Sequence, residues 1–283
     1  MAARSSTSPD APDLARRFGG VTRLLGEAAH ERLRTAHVAV VGVGGVGSWA
    51  AEALARCGVE RITLIDLDHV AESNANRQIQ ALEGEFGKAK VAAMAERIGA
   101  INPRARVVCI EEFVTETNVS AVINGFDLVL DCIDQVSAKA ALIAHARAAG
   151  LTVVTCGAAG GRTDPTRIRC ADLARAAGDP LLAKVRYRLR RRHGFPRESA
   201  HRRPLFGVDA VYSDEPVRRP ALECSSAVEL SAPATVEALS SGLACAGYGS
   251  SVTMTAPLGF AAAARAIERI IQRAPQVEDR PAQ

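Results

Sequence analysis

The residues of this chain that can do chemistry begin with three glycines, Gly42, Gly44 and Gly47, spaced as G-x-G-x-x-G. Glycine lets the backbone turn sharply and lets phosphate oxygens approach the amides, while a following helix N-terminus adds partial positive charge. Asp66 ends the next apolar run, where a carboxylate can accept hydrogen bonds from ribose hydroxyls. The pattern predicts a nucleotide site, but it suits NAD as well as ATP.

The segment after Asp66 carries more cationic and amide groups than a diphosphate requires. The sequences DLDHVAESNANRQI and GEFGKAK supply Asn74, Asn76, Arg77, Lys88 and Lys90. Arginine presents a planar fork to phosphate, whereas lysine presents a point charge. Each of these side chains alone is most often a solvated surface residue, but beside a glycine turn we expect the group to contact the triphosphate of ATP.

Two carboxylates, Asp131 and Asp134, come next, around the end of another apolar run. Ligands of parallel sheets bind outside the carboxyl ends of the strands, and a carboxylate there can hold Mg²⁺ that bridges phosphate oxygens. Asp134 also precedes a predicted helix, where it would serve as the N-cap. The two roles are compatible for one residue, and capping alone does not account for the pair.

The elements that would position these residues alternate along the chain. Short apolar runs predict strands at 37–42, 61–66, 106–110, 127–131 and 151–156. Helical spacing predicts helices at 47–57, 88–100 and 136–149. This alternation predicts an α/β fold with a doubly wound, Rossmann-like and mostly parallel sheet, which brings the carboxyl ends of its strands to one edge.

After residue 160 the alternation weakens into a C-terminal α/β elaboration. We expect an antiparallel strand in RIRCADLA, a basic helix at 179–192, a strand in GVDAVYS, a long loop at 213–241 and a final helix at 256–272. The prediction is a single domain over 14–273, with a nucleotide-binding core at about 37–160 and the elaboration at about 161–273. The flanking residues 1–13 and 274–283 are predicted to be disordered.

Composition excludes several classes of protein. The chain has 283 residues, 48% hydrophobic and 23% charged, with a net charge of +4, which is typical of a soluble protein. Its seven cysteines form no CxxC pair, which favours a reducing cytoplasm and argues against a disulfide scaffold or a structural zinc site. The glycine-rich segment 242–267 is predicted to be a buried turn leading into a helix rather than a membrane span.

Taken in order, GVGGVGS, LIDLD, SNANRQ, GKAK, INP and DCID resemble the ubiquitin-activating-enzyme superfamily of ThiF/MoeB type, whose bacterial members adenylate carboxylates. The segments RFGGVTRLLG, GAAGGRTDPTRI, DPLLAKVRYRLRRR and CAGYGSSVTMTAPLGF resemble its branch of tRNA threonylcarbamoyladenosine dehydratases. The resemblance implies ATP bound at the turn that contains Gly45, ribose contact by Asp66 and Mg²⁺ organised by Asp134. It implies phosphate contacts by Asn76, Arg77 and Lys90, with Arg77, Lys90 and Asp134 as catalytic residues.

The same resemblance implies a reaction and partners. The reaction is ATP-dependent cyclisation of threonylcarbamoyladenosine beside the anticodon of tRNA, by adenylation of its carboxylate. The protein is expected to be a cytoplasmic homodimer in which Arg17 or Arg23 acts across the interface, and a cysteine-desulfurase system is a further candidate partner. Cys245 either traps the acyl group as a thioester or is a small residue in a tight turn.

The basic helix at 179–192 is the candidate surface for tRNA. Its arginines are Arg186, Arg188, Arg190, Arg191 and Arg192. Arginines that neutralise phosphates give salt-dependent and largely sequence-independent attraction. Tyr187, His193 and Phe195 are candidates for stacking on an unpaired base. The alternative is a solvated, positively charged helix, as most charge runs are.

Three other functions stay open at this point. An adenylyltransferase or sulfurtransferase that activates a ubiquitin-like carrier protein is the main alternative, but the paired CxxC zinc ligands common in such relatives are missing. An NAD-dependent dehydrogenase would use the same glycine turn. A tRNA-binding protein that keeps the nucleotide fold without catalysis is the third.

Overall fold

The computed structural model describes residues 12–199, 202, 204–218 and 248–272, and its centre is one seven-stranded sheet. The strands are β1 (His37–Val41), β2 (Arg61–Ile65), β3 (Arg106–Ile110), β4 (Leu128–Asp131), β5 (Thr152–Cys156), β6 (Ile168–Asp172) and β7 (Asp209–Ser213). All five strands predicted up to residue 156 are present, within a residue or two at each end.

The strand order in the sheet is β3-β2-β1-β4-β5-β7-β6. Every neighbouring pair is parallel except β6 with β7, which is antiparallel. Val41, at the end of β1, lies opposite both Ile65 and Asp131, so the strand order reverses between β1 and β4. This is the topological switch point at which doubly wound sheets bind ligands. The predicted fold class and the antiparallel strand in RIRCADLA are confirmed.

Eight α-helices are described. They are α1 (Leu14–Leu25), α2 (Glu27–Thr35), α3 (Gly47–Arg56), α4 (Lys90–Ile101), α5 (Val119–Val122), α6 (Val136–Ala148), α7 (Pro180–Arg192) and α8 (Val252–Gln272). Two short 3₁₀ helices span Glu72–Asn74 and Pro165–Arg167. Helices α1, α2 and α5 were not predicted. Helix α8 begins four residues earlier than expected, because Ser251 accepts a hydrogen bond from the amide of Thr253 and starts it before Pro257.

Alternating residues of the strands feed two cores, one on each face of the sheet. Val38 and Val40 of β1 join the core formed with α3, α4 and α8. Ala39 and Val41 point the other way, into the core formed with α6 and α7. Burial on both faces explains why the central strands, such as β1 and β4, read as continuous apolar runs. The two predicted parts of the chain, before and after residue 160, contribute strands to the same sheet.

Some expectations fall wholly or partly outside the described residues. The predicted loop at 213–241 begins at the last residue of β7, and its part from 219 onward is not described, nor is Cys245. The predicted disordered segments at both ends also lie almost entirely outside. Among the helices that the structure describes, none has the length and apolar character needed to cross a membrane.

Candidate functional site

The glycine turn connects β1 to α3 in a way that requires glycine at two positions. Gly42 has φ of +86°, and a Cβ there would lie 3.0 Å from the carbonyl carbon and oxygen of Cys132. A Cβ on Gly47 would overlap the carbonyl oxygen of Gly42. The backbone at Gly47, the first residue of α3, therefore packs directly against the carbonyl of Gly42. The backbone amides of the turn are left at the carboxyl edge of the sheet.

Asp66 holds this turn in place from the end of β2. Its carboxylate accepts hydrogen bonds from the amide of Val43 at 2.7 Å and from the amide of Asp68 at 2.9 Å. Burial raises the pKa of Asp66, and the charge of Lys90 and the two amide donors partly offset this rise. Asp66, the residue predicted to contact the ribose, is therefore fixed in position at the switch point.

The cations of the site are held by short contacts. Lys90 is buried at the first position of α4, and its Nζ lies 2.7 Å from Oδ2 of Asp68. Arg77 donates from Nη1 to the carbonyl of Ser73 at 2.7 Å and to Oδ1 of Asn76 at 2.9 Å. Both charges therefore have defined positions before any ligand binds.

Helix α8 supports Arg77 and its neighbour from the far end of the sequence. Nδ2 of Asn76 donates to the carbonyl of Ser250 at 2.8 Å, and Thr255 Oγ1 donates to the carbonyl of Arg77 at 3.3 Å. Trp49 Nε1, from α3, donates to the same carbonyl at 2.9 Å. Residues 76 and 77 are thus tied to two helices.

These groups converge on one cleft of about 550 Å³. Among its lining residues are the predicted site residues Gly42, Gly44, Gly45, Asp66, Asn74, Arg77, Lys90 and Asp134. Two predicted site residues, Gly47 and Asn76, do not line the cleft. Gly47 shapes the turn, and the side-chain amide of Asn76 donates its hydrogen bond to the carbonyl of Ser250. Asn74 is buried, and its Oδ1 accepts a hydrogen bond from the amide of Ala71.

The two aspartates near the end of β4 have different environments. Asp131 is fully buried, pairs with Lys139 at 3.0 Å and accepts a hydrogen bond from Thr155 Oγ1 at 2.7 Å. It therefore holds β4, β5 and α6 together and is not available to a metal. Asp134 is exposed and lines the cleft. The expectation that Asp134 caps the helix is wrong, because Gln135 occupies the N-cap position and no side-chain cap bond forms.

Sequence reasoning missed one wall of the cleft. The loop after β3 contributes Glu112, Phe113, Val114 and Thr115, and Phe113 is 54% exposed. These residues belong to no motif, and only the rule that loops at the carboxyl ends of parallel strands converge could have found them. Lys88, expected among the phosphate ligands, instead pairs with Glu85 and Glu96 at 3.1 Å each.

The five arginines of α7 fall into two groups. Arg186 donates to the carbonyl of Ala176, Arg188 pairs with Glu116, and Arg190 pairs with Glu198 at 2.9 Å. These three are half-buried and serve the fold, with Arg190 also 5.2 Å from the ring centre of Phe206. Arg191 and Arg192 are exposed.

The three predicted stacking residues also separate. Phe195 packs edge-on against Phe206, with ring centres 4.9 Å apart, and belongs to the core. His193 is half-buried, and burial lowers its pKa. Tyr187 alone of the three is mostly exposed, at 62%. Among the described residues, no cluster of three or more His, Cys, Asp or Glu side chains could hold a metal ion without further ligands.

This geometry agrees with a family comparison. The family model described as the ThiF family matches residues 19–282. The chain belongs to the ThiF family. Within it, the chain is 45% identical to the tRNA threonylcarbamoyladenosine dehydratase of Escherichia coli K12 over 259 residues, covering 91% of this chain and 94% of that protein. It is 42% identical to the dehydratase of the same name from Haemophilus influenzae, over 91% and 94% of the two chains.

Solved structures agree with this placement in the ThiF family. The E. coli dehydratase TcdA in complex with ATP has a TM-score of 0.78 and 43% identity, covering 91% of this chain and 94% of that one. The same enzyme in complex with AMP has a TM-score of 0.79 and 42% identity, covering 94% and 98%. The match extends through the C-terminal elaboration, so it reaches well beyond the nucleotide turn.

Proposed function

We propose that this protein catalyses the ATP-dependent dehydration of threonylcarbamoyladenosine beside the anticodon of tRNA. The observation that carries the proposal is the convergence of the glycine turn, Arg77, Lys90 and Asp134 on one cleft. The support from relatives is that a dehydratase 43% identical over 91% of this chain binds ATP.

In the proposed reaction, the carboxylate of the threonine moiety attacks the α-phosphate of ATP and pyrophosphate leaves. The acyl-adenylate is then attacked from within the same modification, which closes a ring and releases AMP. The modified adenosine loses one water, whose oxygen leaves in AMP. Because ring closure is intramolecular, positioning replaces an external nucleophile.

Arg77 and Lys90 are proposed to stabilise the charge that develops on the leaving pyrophosphate. Preorganised charges in a cleft stabilise a transition state without reorganising at the moment of reaction. The contacts of Arg77 with Ser73 and of Lys90 with Asp68 provide that preorganisation. Asp66 would accept hydrogen bonds from the ribose, and the amides of Gly44 and Gly45 would face the phosphates.

Mg²⁺ fits the donor chemistry of this cleft. The ion is usually bound by one or two carboxylates together with substrate phosphates and water. Asp134 is exposed, lines the cleft and makes no hydrogen bond or ion pair within the described part of the chain. Asp134 would hold the ion, and the ion would neutralise negative charge on the phosphate oxygens of bound ATP.

The tRNA surface is proposed to be α7. Arg191 and Arg192 are exposed and can contact phosphates directly, whereas Arg186, Arg188 and Arg190 contribute to the positive field from positions already engaged in the fold. Charge of this kind draws RNA without reading its sequence.

The family resemblance supports a proposal for the assembly and the compartment. We propose a homodimer in the cytoplasm, where a reducing environment keeps thiols free. Arg17 donates to the carbonyl of Ile101 at 2.9 Å within its own chain, so the exposed Arg23 is the better candidate to act across the interface. A cysteine-desulfurase system as partner stays a prediction.

One experiment tests the function directly. The purified protein is incubated with tRNA that carries threonylcarbamoyladenosine, with ATP and Mg²⁺, and the nucleosides are then digested and weighed. We expect loss of the mass of one water, with AMP and pyrophosphate released only when ATP and modified tRNA are both present. The absence of an ATP-dependent loss of water would refute the proposal. Exchange of pyrophosphate driven by a carrier protein would support the main alternative.

A further inference from the structure

A second cavity, of about 440 Å³, opens along α7, and we call it the α7 cavity. Its lining residues are Val136, Ala183, Lys184, Tyr187, Arg188, Arg191 and Arg192. Val136 is the first residue of α6, and Asp134 and Gln135, directly before it, line the nucleotide cleft. The two cavities are therefore immediate neighbours.

A second connection joins the two cavities. Arg188, which lines the α7 cavity, pairs with Glu116, and the preceding residue, Thr115, lines the nucleotide cleft. The hydrogen bond from Arg188 lowers the pKa of Glu116, as expected for a carboxylate paired with a guanidinium. The loop that forms one wall of the nucleotide cleft is thus anchored to the α7 cavity.

Tyr187 presents a fixed aromatic ring in this cavity. It is 62% exposed, yet its hydroxyl accepts a hydrogen bond from Nη1 of Arg191 at 2.7 Å. The guanidinium carbon of Arg191 also lies 5.9 Å from the centre of the ring. Unpaired bases stack on exposed aromatic rings, and a ring that is already held loses little entropy when they do.

The charges around the ring suit one phosphate group. Lys184, Arg191 and Arg192 are exposed, and no acidic side chain is among the described residues that line the cavity. Ala183 and Val136 add apolar surface, which suits the face of a base. An acidic protein segment would also meet these cations, but it would leave the exposed ring and the adjacency to the nucleotide cleft without a role.

We propose that the α7 cavity binds one unpaired nucleotide of the RNA substrate, the neighbour of the modified adenosine. Its base stacks on Tyr187, and its phosphate lies among Lys184, Arg191 and Arg192. The inference rests on the proposed function and names a subsite for that substrate. Holding the neighbouring nucleotide would present the modified adenosine to the cleft beyond Val136.

The test uses the full chain and an RNA hairpin of the anticodon arm that carries threonylcarbamoyladenosine, with 2-aminopurine as its neighbour. Two quantities are measured: quenching of the 2-aminopurine fluorescence on binding without ATP, and the KM for the hairpin with ATP. For Tyr187→Ala we expect lost quenching and a KM about 5 to 100 times higher, the range for loss of one stacked base. Tyr187→Phe keeps the ring but loses the hydroxyl that accepts from Arg191, so it should retain the quenching and raise the KM for the hairpin much less than Tyr187→Ala does. The KM for ATP should not change in either variant.

A charge control separates the cavity from general attraction. Lys184→Gln should weaken hairpin binding and reduce its salt dependence. Arg104→Gln, at an exposed residue between α4 and the edge strand β3, should not. Wild-type quenching and KM in Tyr187→Ala, with thermal unfolding unchanged, would overturn the subsite. In a competition assay, polyglutamate and unmodified RNA could displace the hairpin equally well, in wild type and in Tyr187→Ala alike. That result would also overturn the subsite. Quenching without any turnover by wild type would instead overturn the proposed function and leave the subsite standing.

Discussion

Lys90 and Asp68 form an ion pair of 2.7 Å at the edge of the nucleotide cleft, with the lysine side chain 8% exposed and the aspartate 53% exposed. The ammonium group therefore faces the cleft from a buried position, with one solvated carboxylate as its partner. A phosphate group entering the cleft would find this charge already desolvated, which strengthens the interaction.

The first prediction concerns the two cations. Lys90→Ala and Arg77→Ala should each lower kcat/KM by about 10²–10³, the loss typical of removing one preorganised donor to a developing charge. The control is Lys88→Ala, two residues from Lys90, whose ammonium pairs with Glu85 and Glu96 outside the cleft. Steady-state kinetics with modified tRNA measure all three. A wild-type rate for Lys90→Ala would mean that the phosphates bind elsewhere.

The second prediction concerns Asp134. Asp134→Asn should raise the Mg²⁺ concentration needed for half-maximal activity by about 10- to 100-fold, as loss of a group that organises a bound metal typically does. ATP affinity measured without Mg²⁺ should not fall. Glu83→Gln, which removes an exposed carboxylate outside the cleft lining, serves as the control. An unchanged Mg²⁺ dependence would contradict the assignment of Asp134.

The third prediction separates two glycines of the turn. A Cβ on Gly47 would overlap the carbonyl of Gly42, so Gly47→Ala should lower the free energy of unfolding by about 1–3 kcal/mol. A Cβ on Gly44 meets nothing within 4 Å, so Gly44→Ala should unfold at the wild-type temperature but bind ATP more weakly. Thermal unfolding and ATP titration of both variants decide the matter. Equal ATP affinity in Gly44→Ala and wild type would show that the nucleotide does not approach the backbone closely at Gly44.

The fourth prediction concerns α7. Replacing Arg191 and Arg192 together by Gln should reduce the slope of log K against log salt by about 0.7–0.9 for each phosphate that the variant no longer neutralises. Arg190→Gln should chiefly reduce stability, because Arg190 pairs with Glu198 and contacts the ring of Phe206. Binding titrations over a range of salt concentrations check this. An unaltered slope in the double variant would place the tRNA on another surface.

The fifth prediction concerns acid stability. Burial alone would raise the pKa of Asp209, but hydrogen bonds from Arg269 and Arg265 of α8 lower it overall. A carboxyl whose folded pKa is depressed stabilises the fold above its unfolded pKa of about 4, and this stabilisation is lost as the pH falls further. Asp209→Asn should therefore be less stable at neutral pH and lose less stability on acidification. Urea unfolding at several pH values gives the free energy of unfolding of wild type and variant. If the two fall in parallel as the pH decreases, Asp209 has no such role.

The fold was predictable where the apolar pattern of a segment matches its burial in the structure. Strands β1, β2, β4 and β5 are apolar because both faces of the sheet are covered there, whereas the edge strand β3 is largely exposed and was predicted from its local pattern alone. Gly58 and Gly150, with positive φ, follow the ends of α3 and α6. Helix α1 was not predictable, since Gly19 and Gly20 in its middle weaken local helix propensity. It is held by burial of Phe18, which depends on the rest of the chain.

The candidate site was predictable in residue types but not in partners. Asp131 and Asp134 look alike in the sequence, and only the pairing of Asp131 with Lys139 of α6 and Thr155 of β5 makes one of them structural. The arginines of α7 likewise share one pattern, and their separation depends on Glu116, Glu198 and Phe206. Pairings between side chains of different elements decide these roles, and the spacing of the motifs does not record them.

The hydrogen bonds that join residues 76 and 77 to Ser250 and Thr255 have a consequence for how the protein folds during synthesis. During synthesis, the glycine turn, Asp66, Arg77 and Lys90 all leave the ribosome long before α8 does. A nascent chain that lacks α8 can fold its first strands, but residues 76 and 77 then keep only the contacts made by Trp49 and Ser73. Competence to bind nucleotide should therefore arise late in translation, after the whole sheet has been made.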